Sequence, residues 1–381
     1  MTDVQVEPVS GRRQQRDFMQ LAWRLYREDP NWIPPLRQYQ QELLGYRRHP
    51  FHDFARVRTF LAYRQGQVVG RIATIINQAH NERYNEQRGF FGFFESIDDQ
   101  AVADALLDTA SRDVAEQGMT ALRGPINPSL NYELGLLIDG FHSPPTFMMT
   151  YNHPYYQRLI ESRENVTKAQ DLYAFWGHID MLSGLDEKLE FVIKEATRRF
   201  NIHLRQMERR RFQEEVRTFL DIYNASLVGT WGFVPLSNGE LEHMSRTLKH
   251  LIVPEMTAVA EVDGKPVAVA LGLLDYNPLI KQIDGRLFPF GFIRLLWGRR
   301  KIKRVRLLST NVLPEYQRWG LGLVTLARLV PDVLAWGIQE AEFSWVLESN
   351  HLSYKSLKRG GAKLDKTYRI YDLDLSHLRN S

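Results

Sequence analysis

The chain contains no cysteine, and that absence removes disulfide frameworks, thiolate zinc sites and cysteine nucleophiles together. No apolar run approaches the roughly twenty residues that a membrane-spanning helix needs. The opening residues, MTDVQVEPVSGRRQQRDF, carry charges where a secretory leader would need an apolar stretch. Net charge is scarce as well. Lys and Arg number 49 against 45 Asp and Glu, too small an excess for bulk charge to require a polyanionic partner. Among the 11 histidines there is no HExxH pair, and Ser129 has no nucleophile-elbow context, so neither a metal site nor a serine hydrolase is expected. What the chain does hold is core-forming material. At 44% hydrophobic and 25% charged over 381 residues it has the profile of a folded chain, longer than one core usually supports. The expectation is a cytoplasmic protein of two domains.

One unit recurs. Asn152, His153, Tyr156 and Leu159 reappear as Asn350, His351, Tyr354 and Leu357, an offset of 198 positions. At the same offset Lys168 meets Lys366, Tyr173 meets Tyr371 and Gly66 meets Gly264. Landmarks spread over a hundred residues in one register argue for a duplicated fold. Residues 60–73 (FLAYRQGQVVGRIA) and 258–271 (AVAEVDGKPVAVAL) each read as a hairpin about a Gly turn. Ahead of each lies an amphipathic helix and an aromatic and proline phrase, NWIPPL in one half and WGFVPL in the other. Later elements predicted for the first half are a strand at 90–97, a helix at 101–117 and a strand at 120–124. In the second half they are a strand at 305–313, a helix at 321–339 and a strand at 342–347. The pattern predicts an α/β chain with two mixed-sheet repeats. We place the first domain at 1–180, a packed linker helix within 181–200 and the second domain at 201–381.

Residues 312–322 (VLPEYQRWGLG) sit between a predicted strand and a predicted helix. Glycines there let the backbone turn tightly, and the N–H groups of a first helical turn face any anion placed against them. Arg318 adds a donor suited to a phosphate oxygen.

Q-x-x-G-x-G behind V-x-P-x-Y resembles the acyl-CoA pyrophosphate loop of the GNAT superfamily of N-acyltransferases. The chain as a whole is similar to bacterial two-domain, tandem GNAT-like proteins through GRIA (70–73), GFFGFFE (89–95), GPINPS (124–129) and DLYAFW (171–176). The resemblance implies a tandem GNAT fold and an acyl-CoA co-substrate with no metal. It implies a pyrophosphate loop of Gln317, Arg318, Trp319, Gly320, Leu321 and Gly322. The pantetheine arm would run along Ser309, Thr310, Asn311 and Val312, with Asn350 near its thioester end.

The chain departs from that pattern at Leu357, where many relatives carry a tyrosine that protonates the leaving thiolate. Tyr354, one turn earlier, is a candidate substitute, and helix packing is its other reading. Glu348 is the carboxylate placed by sequence to serve as general base. The first repeat lacks the glycine loop, and Asp98 and Asp99 stand at the corresponding helix start, so no acyl-CoA is expected there. Its polar loop, with Asn127, Ser129, Asn131 and Glu133, reads either as a substrate-facing wall or as a set of turn-stabilising hydrogen bonds. Tandem GNAT architectures place the acceptor between their halves, which favours the wall.

Residues 287–306 (LFPFGFIRLLWGRRKIKRVR) join bulky apolar side chains to a cationic run. Three readings stand: contact with a membrane interface, the wall of an acyl tunnel, or a core-packed segment. A nucleic-acid partner is not expected, since no stacking platform accompanies the charge. The expected activity is transfer of an acyl group, long-chain if the insertion serves a lipid, to a small-molecule or lipid amine. Bacterial ceramide synthases, GNAT-like proteins that acylate a sphingoid amine, are similar on this ground. The alternative is a non-catalytic acyl-CoA or lipid-binding protein of the same fold.

Overall fold

The structure is a computed structural model that describes residues 4–184, 191, 194, 195, 198, 199 and 201–379. The expected linker helix lies for the most part outside the described residues. In the first repeat the chain runs β1 (Val4–Pro8), helices Arg12–Leu25 and Arg37–Leu43, β2 (Ala55–Arg64), β3 (Gln67–Asn77), helix Gln78–Tyr84 and β4 (Arg88–Ser96). Helix Gln100–Glu116 and β5 (Ala121–Gly124) follow, then β6 (Ile126–Asn127), β7 (Glu133–Leu134), β8 (Leu136–Asp139), helix Tyr155–Glu161 and β9 (Val166–His178). The second repeat runs β10 (His203–Arg205), helices Phe212–Ser226 and Asn238–Leu248, β11 (Thr257–Val262), β12 (Lys265–Leu274), and helices Asn277–Gln282 and Gly291–Gly298. It ends with β13 (Arg304–Val312), helix Leu321–Trp336, β14 (Glu340–Leu347), helix His351–Arg359 and β15 (Lys363–Asp374).

Local chemistry explains these elements. Helix Arg12–Leu25 buries Phe18, Met19, Leu21 and Ala22, one stripe at helical spacing. Helix Gln100–Glu116 buries Val102, Ala103, Leu106, Leu107, Ala110 and Val114, the centre of a core that also takes in Phe60, Ile72, Phe91 and Leu122. The two hairpins turn alike. Gln65 and Gly66 have φ of 51° and 74°, and Asp263 and Gly264 have 51° and 72°. Two successive left-handed residues match the right-handed twist of the flanking strands, and glycine takes the second position at no steric cost.

The chain forms two compact units, one from 1–172, 280–291 and 366–381, the other from 173–279 and 292–365. In the first, strands lie in the order β1, β2, β3, β4, β5, β15, with β4 and β5 parallel and β15 antiparallel to β5, Tyr371 opposite Gly124. In the second the order is β9, β14, β13, β12, β11, β10, with β13 and β14 parallel. Strands from the two sequence repeats are thus exchanged: β15 lies next to β5, and β9, whose residues from Tyr173 on belong to the second unit, lies next to β14. A linear cut near residue 180 separates the repeats, whereas the compact units interleave. Ladder pairing depends on backbone hydrogen bonds, and those carry no memory of chain order.

Within the first unit His80 sits between Tyr84, 4.7 Å away, and Phe90, edge-on at 4.9 Å. Burial pushes its imidazole down to about 4, against the opposing pull of Glu86. The unfolded chain takes up this proton near pH 6.5, so the unfolded state binds more protons between about 6.5 and 4. Stability is accordingly full above that window and falls as pH drops through it, by about 3 kcal/mol in all. Urea unfolding at pH 7, 5.5 and 4.5 checks this: His80→Leu should flatten that slope, and an unchanged slope would assign it elsewhere.

Candidate functional site

In the second unit two parallel strands part. β13 pairs with β14 only from Arg304–Leu307 against Glu340–Phe343, although the strands run on to Val312 and Leu347. Beyond that point β13 keeps β12 on one side, with Ser309 opposite Leu271, Thr310 opposite Ala270, Asn311 opposite Val269 and Val312 opposite Ala268. A bulge between Leu271 and Gly272 passes over Leu308 and turns the strand. Along an antiparallel ladder alternate residues direct N–H and C=O away from the neighbour. The free edge of residues 308–312 thus offers backbone donors and acceptors.

A buried polar cluster stands where the strands diverge. Arg306 is only 1% exposed. Its Nε donates to Ser344 Oγ at 2.9 Å, Ser344 Oγ donates to Glu342 Oε1 at 2.6 Å, and its guanidinium lies 4.8 Å from the Trp345 ring centre. Further along β13, Asn311 Nδ2 donates to Ser309 Oγ, and Ser226 Oγ donates to Asn311 Oδ1 at 3.0 Å. Tyr223, on the same helix as Ser226, is half-buried. Burial raises its phenol above the ordinary range, and the Arg306 charge acts in the opposite direction. Thr310 Oγ1 and Trp345 Nε1 are buried with no hydrogen-bond partner among the described residues.

After β13 the chain makes a 3-10 turn, Pro314–Trp319, and reaches Gly320 at φ 73°, the N-cap of helix Leu321–Trp336. No side chain caps this helix. Gly322 is there for a different reason: a Cβ would lie 3.3 Å from Val312 Cγ2, so the helix start sits close to the strand end. Gln317 ties the turn down, its Nε2 donating to Val312 O at 3.1 Å and Ser226 O at 3.2 Å. Arg318 is exposed and Leu321 buried, while Trp319 lies under the Arg199 guanidinium at 3.8 Å.

The first unit closes the same places with its own chain. Its β4 and β5 pair only from Arg88 to Phe90, while β4 runs on to Ser96. At Gly92 a Cβ would meet Ile126 O at 2.0 Å, and Phe93 N donates to Asn127 Oδ1 at 2.6 Å. Glu95 accepts from Tyr26 and Tyr156 hydroxyls at 2.8 and 2.7 Å and from Arg71 at 3.3 Å. At the helix start Asp99 accepts from Val102 N and from both Arg64 nitrogens at 2.9 and 3.1 Å. The Arg64 guanidinium, helped by those N–H groups, holds this carboxyl below the usual range.

The residues singled out from sequence fall into three groups. Ser309, Thr310, Asn311, Val312, Gln317, Gly320, Leu321 and Gly322 assemble around the parted strand and the helix start. Asn127, Ser129, Asn131 and Glu133 lie in the first unit, in one small loop. There Asn127 holds Phe93, Ser129 Oγ accepts from Asn131 N at 3.3 Å, and Glu133 pairs with Asn127 in the β6–β7 ladder. The two side chains with these local bonds, Asn127 and Ser129, stabilise the turn. The third group follows β14. Asn350 caps helix His351–Arg359 by accepting from Ser353 N, and Glu348 lies in the turn before it, past the strand end. Tyr354 packs its ring against Tyr173 at 5.4 Å and Phe175 at 5.3 Å, in a cluster with Leu357.

Over 365 residues the chain is 36% identical to Protein YghO of Escherichia coli, covering 93% of this chain and 91% of that protein. It is 33% identical over 379 residues to a bacterial ceramide synthase of Caulobacter vibrioides, covering 97% of each. In fold it is similar to the tandem GNAT protein of the clavulanic acid biosynthesis pathway, with a TM-score of 0.56 at 10% identity over 98% of this chain and 99% of the other. A GCN5-related N-acetyltransferase from Anabaena variabilis gives 0.52 at 11% identity, over 98% and 73%. The chain belongs to the family that holds YghO and bacterial ceramide synthase, and its fold is that of tandem GNAT proteins. No family model matches it.

This tandem GNAT chain holds features that sequence reading passed over: Arg306, Glu342 and Ser344 at the fork, and Tyr223 and Ser226 beside it. A signal was present, because Arg306 and Glu342 are charges within segments read as strands. Arg306→Met would remove the donor to buried Ser344 and the positive charge opposite buried Glu342, and is expected to cost about 3–5 kcal/mol. Ser344→Ala should cost about 1–2 kcal/mol. Urea denaturation of both variants measures these, and losses below 1 kcal/mol in both would mean that water already satisfies the cluster.

Proposed function

We propose that this chain is an acyl-CoA-dependent N-acyltransferase that joins a long-chain acyl group to a lipid amine of sphingoid type. One observation carries the donor assignment: among the described residues the second repeat leaves its parted strand edge open and starts the following helix with no side-chain cap, where the first repeat fills the edge and caps the helix with Asp99. An anion such as pyrophosphate suits the N–H groups of Leu321 and Gly322, where the helix dipole favours negative charge. Gly320 lets the chain turn there, and Gln317 fixes the turn to β13. Arg318, exposed beside the helix start, is free to add a charge-assisted hydrogen bond. The edge of Ser309, Thr310, Asn311 and Val312 suits an amide-bearing arm that needs backbone partners. Support for the acceptor class comes from the protein named bacterial ceramide synthase, matched along almost the whole of both chains.

In the reaction the amine nitrogen bonds to the thioester carbonyl carbon, the carbon–sulfur bond breaks, and the thiolate takes up a proton. Glu348 remains the proposed base. Glu342 is a second carboxylate nearer the fork, already engaged by Ser344. Tyr354 is the proposed proton donor. Its ring packing against Tyr173 and Phe175 favours the second reading, a binding protein that has kept the fold without turnover.

Incubation with acetyl-, medium- and long-chain acyl-CoA and a panel of amines including a sphingoid base separates these. Free thiol and amide should appear together, fastest with the long-chain pair. Thermal stabilisation by acyl-CoA without turnover across the panel would establish the binding protein instead. Gly320→Asp places a carboxylate at the helix start and should weaken acyl-CoA binding by about 2–3 kcal/mol, roughly thirty- to a hundred-and-fiftyfold. Gly320→Asn tolerates the same left-handed backbone without the charge and should retain most binding. Equal binding by both variants and the parent would sink the loop assignment.

A further inference from the structure

Residues 286–314 contain eight Arg or Lys and no Asp or Glu, in a chain whose charges otherwise nearly balance. Within this stretch helix Gly291–Gly298 exposes large apolar side chains: Phe292 is 41% exposed, Leu296 40% and Trp297 81%. Two more, Phe288 and Phe290, are 68% and 74% exposed just before the helix. At about 3.6 residues per turn, Phe292 and Leu296 share one stripe, Trp297 flanks it, and Arg294 lies at its far edge. Leu295 points the other way and is buried. Gly298 presses the helix end onto Leu279, where a Cβ would lie 2.7 Å from Leu279 Cδ1. The helix is thus anchored on one side and apolar on the other.

The charges beside it are available. Arg294, Lys301 and Lys303 are exposed, and no ion pair involves them among the described residues. Arg300 is 66% exposed, with Glu255 at 3.9 Å. Arg304 is engaged by Glu340, and Arg306 is buried, so neither counts towards the surface.

We propose that helix Gly291–Gly298 and the basic turn after it dock in the plane of an anionic bilayer. Aromatic rings favour the boundary between headgroups and acyl chains, and Lys and Arg can rest their stems there while their heads meet anionic phosphates. A protein partner would need a face that is at once apolar and acidic. A bilayer of anionic lipid supplies both everywhere. No helix among the described residues is long and apolar enough to cross a membrane, so the contact is peripheral. The inference stands apart from the catalytic reading, and it would bring the chain to amines dissolved in a membrane.

Co-sedimentation of the full chain with vesicles tests it. Vesicles of phosphatidylcholine with 30 mol% phosphatidylglycerol, ~30% anionic lipid being enough to give the negative surface potential invoked, should bind the chain. Pure phosphatidylcholine should bind it much less, and high salt should release it. Lys301→Glu with Lys303→Glu, both on exposed side chains, should weaken binding at least roughly thirtyfold. Phe292→Ser with Trp297→Ser should weaken it at least roughly tenfold. Acyl-CoA stabilisation measured without vesicles should be unchanged in both variants, which separates this proposal from failure of the acyl-CoA reading. Three results would overturn it: no binding to the anionic vesicles, equal binding by parent and both variants, or a parent dimer that Phe292→Ser with Trp297→Ser turns into monomer, since a second copy would then cover the face.

Discussion

A strand that parts from its neighbour halfway leaves a row of backbone N–H and C=O groups, and each needs a partner. Both units are built around that demand. In the first, the chain meets it internally: Asn127 reaches Phe93 N, the Ile126 carbonyl closes over Gly92, and Glu95 is held by two tyrosines and an arginine. In the second, β13 beyond Leu307 has β12 on one side only. The first arrangement is self-satisfied. The second is an edge kept short and placed beside a helix start, which is the form a ligand site takes when its ligand brings backbone-like groups and an anion.

The two helix starts show the same contrast in electrostatic form. Asp99 places a carboxylate on the N–H groups of helix Gln100–Glu116 and is itself paired with Arg64. That end is neutralised. Helix Leu321–Trp336 starts at Gly320 with no side-chain cap, so its N-terminal partial charge is left for something else to meet. Capping a helix costs little and stabilises by about 1 kcal/mol. Other helices of the chain also start without a side-chain cap, so what sets this start apart is its place beside an open strand edge.

Much of this was legible in the sequence because local rules and periodicity agree. Gly66 and Gly264 announced their hairpins, and both turns have the two left-handed residues that such hairpins use. The helix beginning at Leu321 was readable from the glycines at its start, and the strand at 305–313 was read ahead of it. The exchange of β9 and β15 was not legible, because a repeat offset reports likeness between segments and says nothing about which segments pair. The polar loop was read for its composition, and composition cannot show that Asn127 is committed to Phe93. Arg306 and Glu342 were visible as charges in strands, but only the register, with the two opposite each other at the point of divergence, gives them meaning.

Residues that match between the repeats and residues that differ carry different information. Tyr156 and Tyr354 stand at one repeat position. Tyr156 is wholly buried, and burial together with the Glu95 carboxylate keeps its phenol protonated as a donor inside the filled fork. Tyr354 keeps a packing role against Tyr173 and Phe175, without a carboxylate like Glu95 beneath it, since Asn311 occupies the matching place on β13. Asn152 is buried and bonds Leu137 N and O, while Asn350 is exposed and caps a helix. The shared landmarks therefore preserve the scaffold, and each can take on different local duties without disturbing it. The differences, Asp99 against Gly320 and Asn127 against an open edge, fall on the two features that an anion and an extended polar arm would need. In a duplicated fold the site is found where the copies disagree, and here they disagree at the fork and at the helix that follows it.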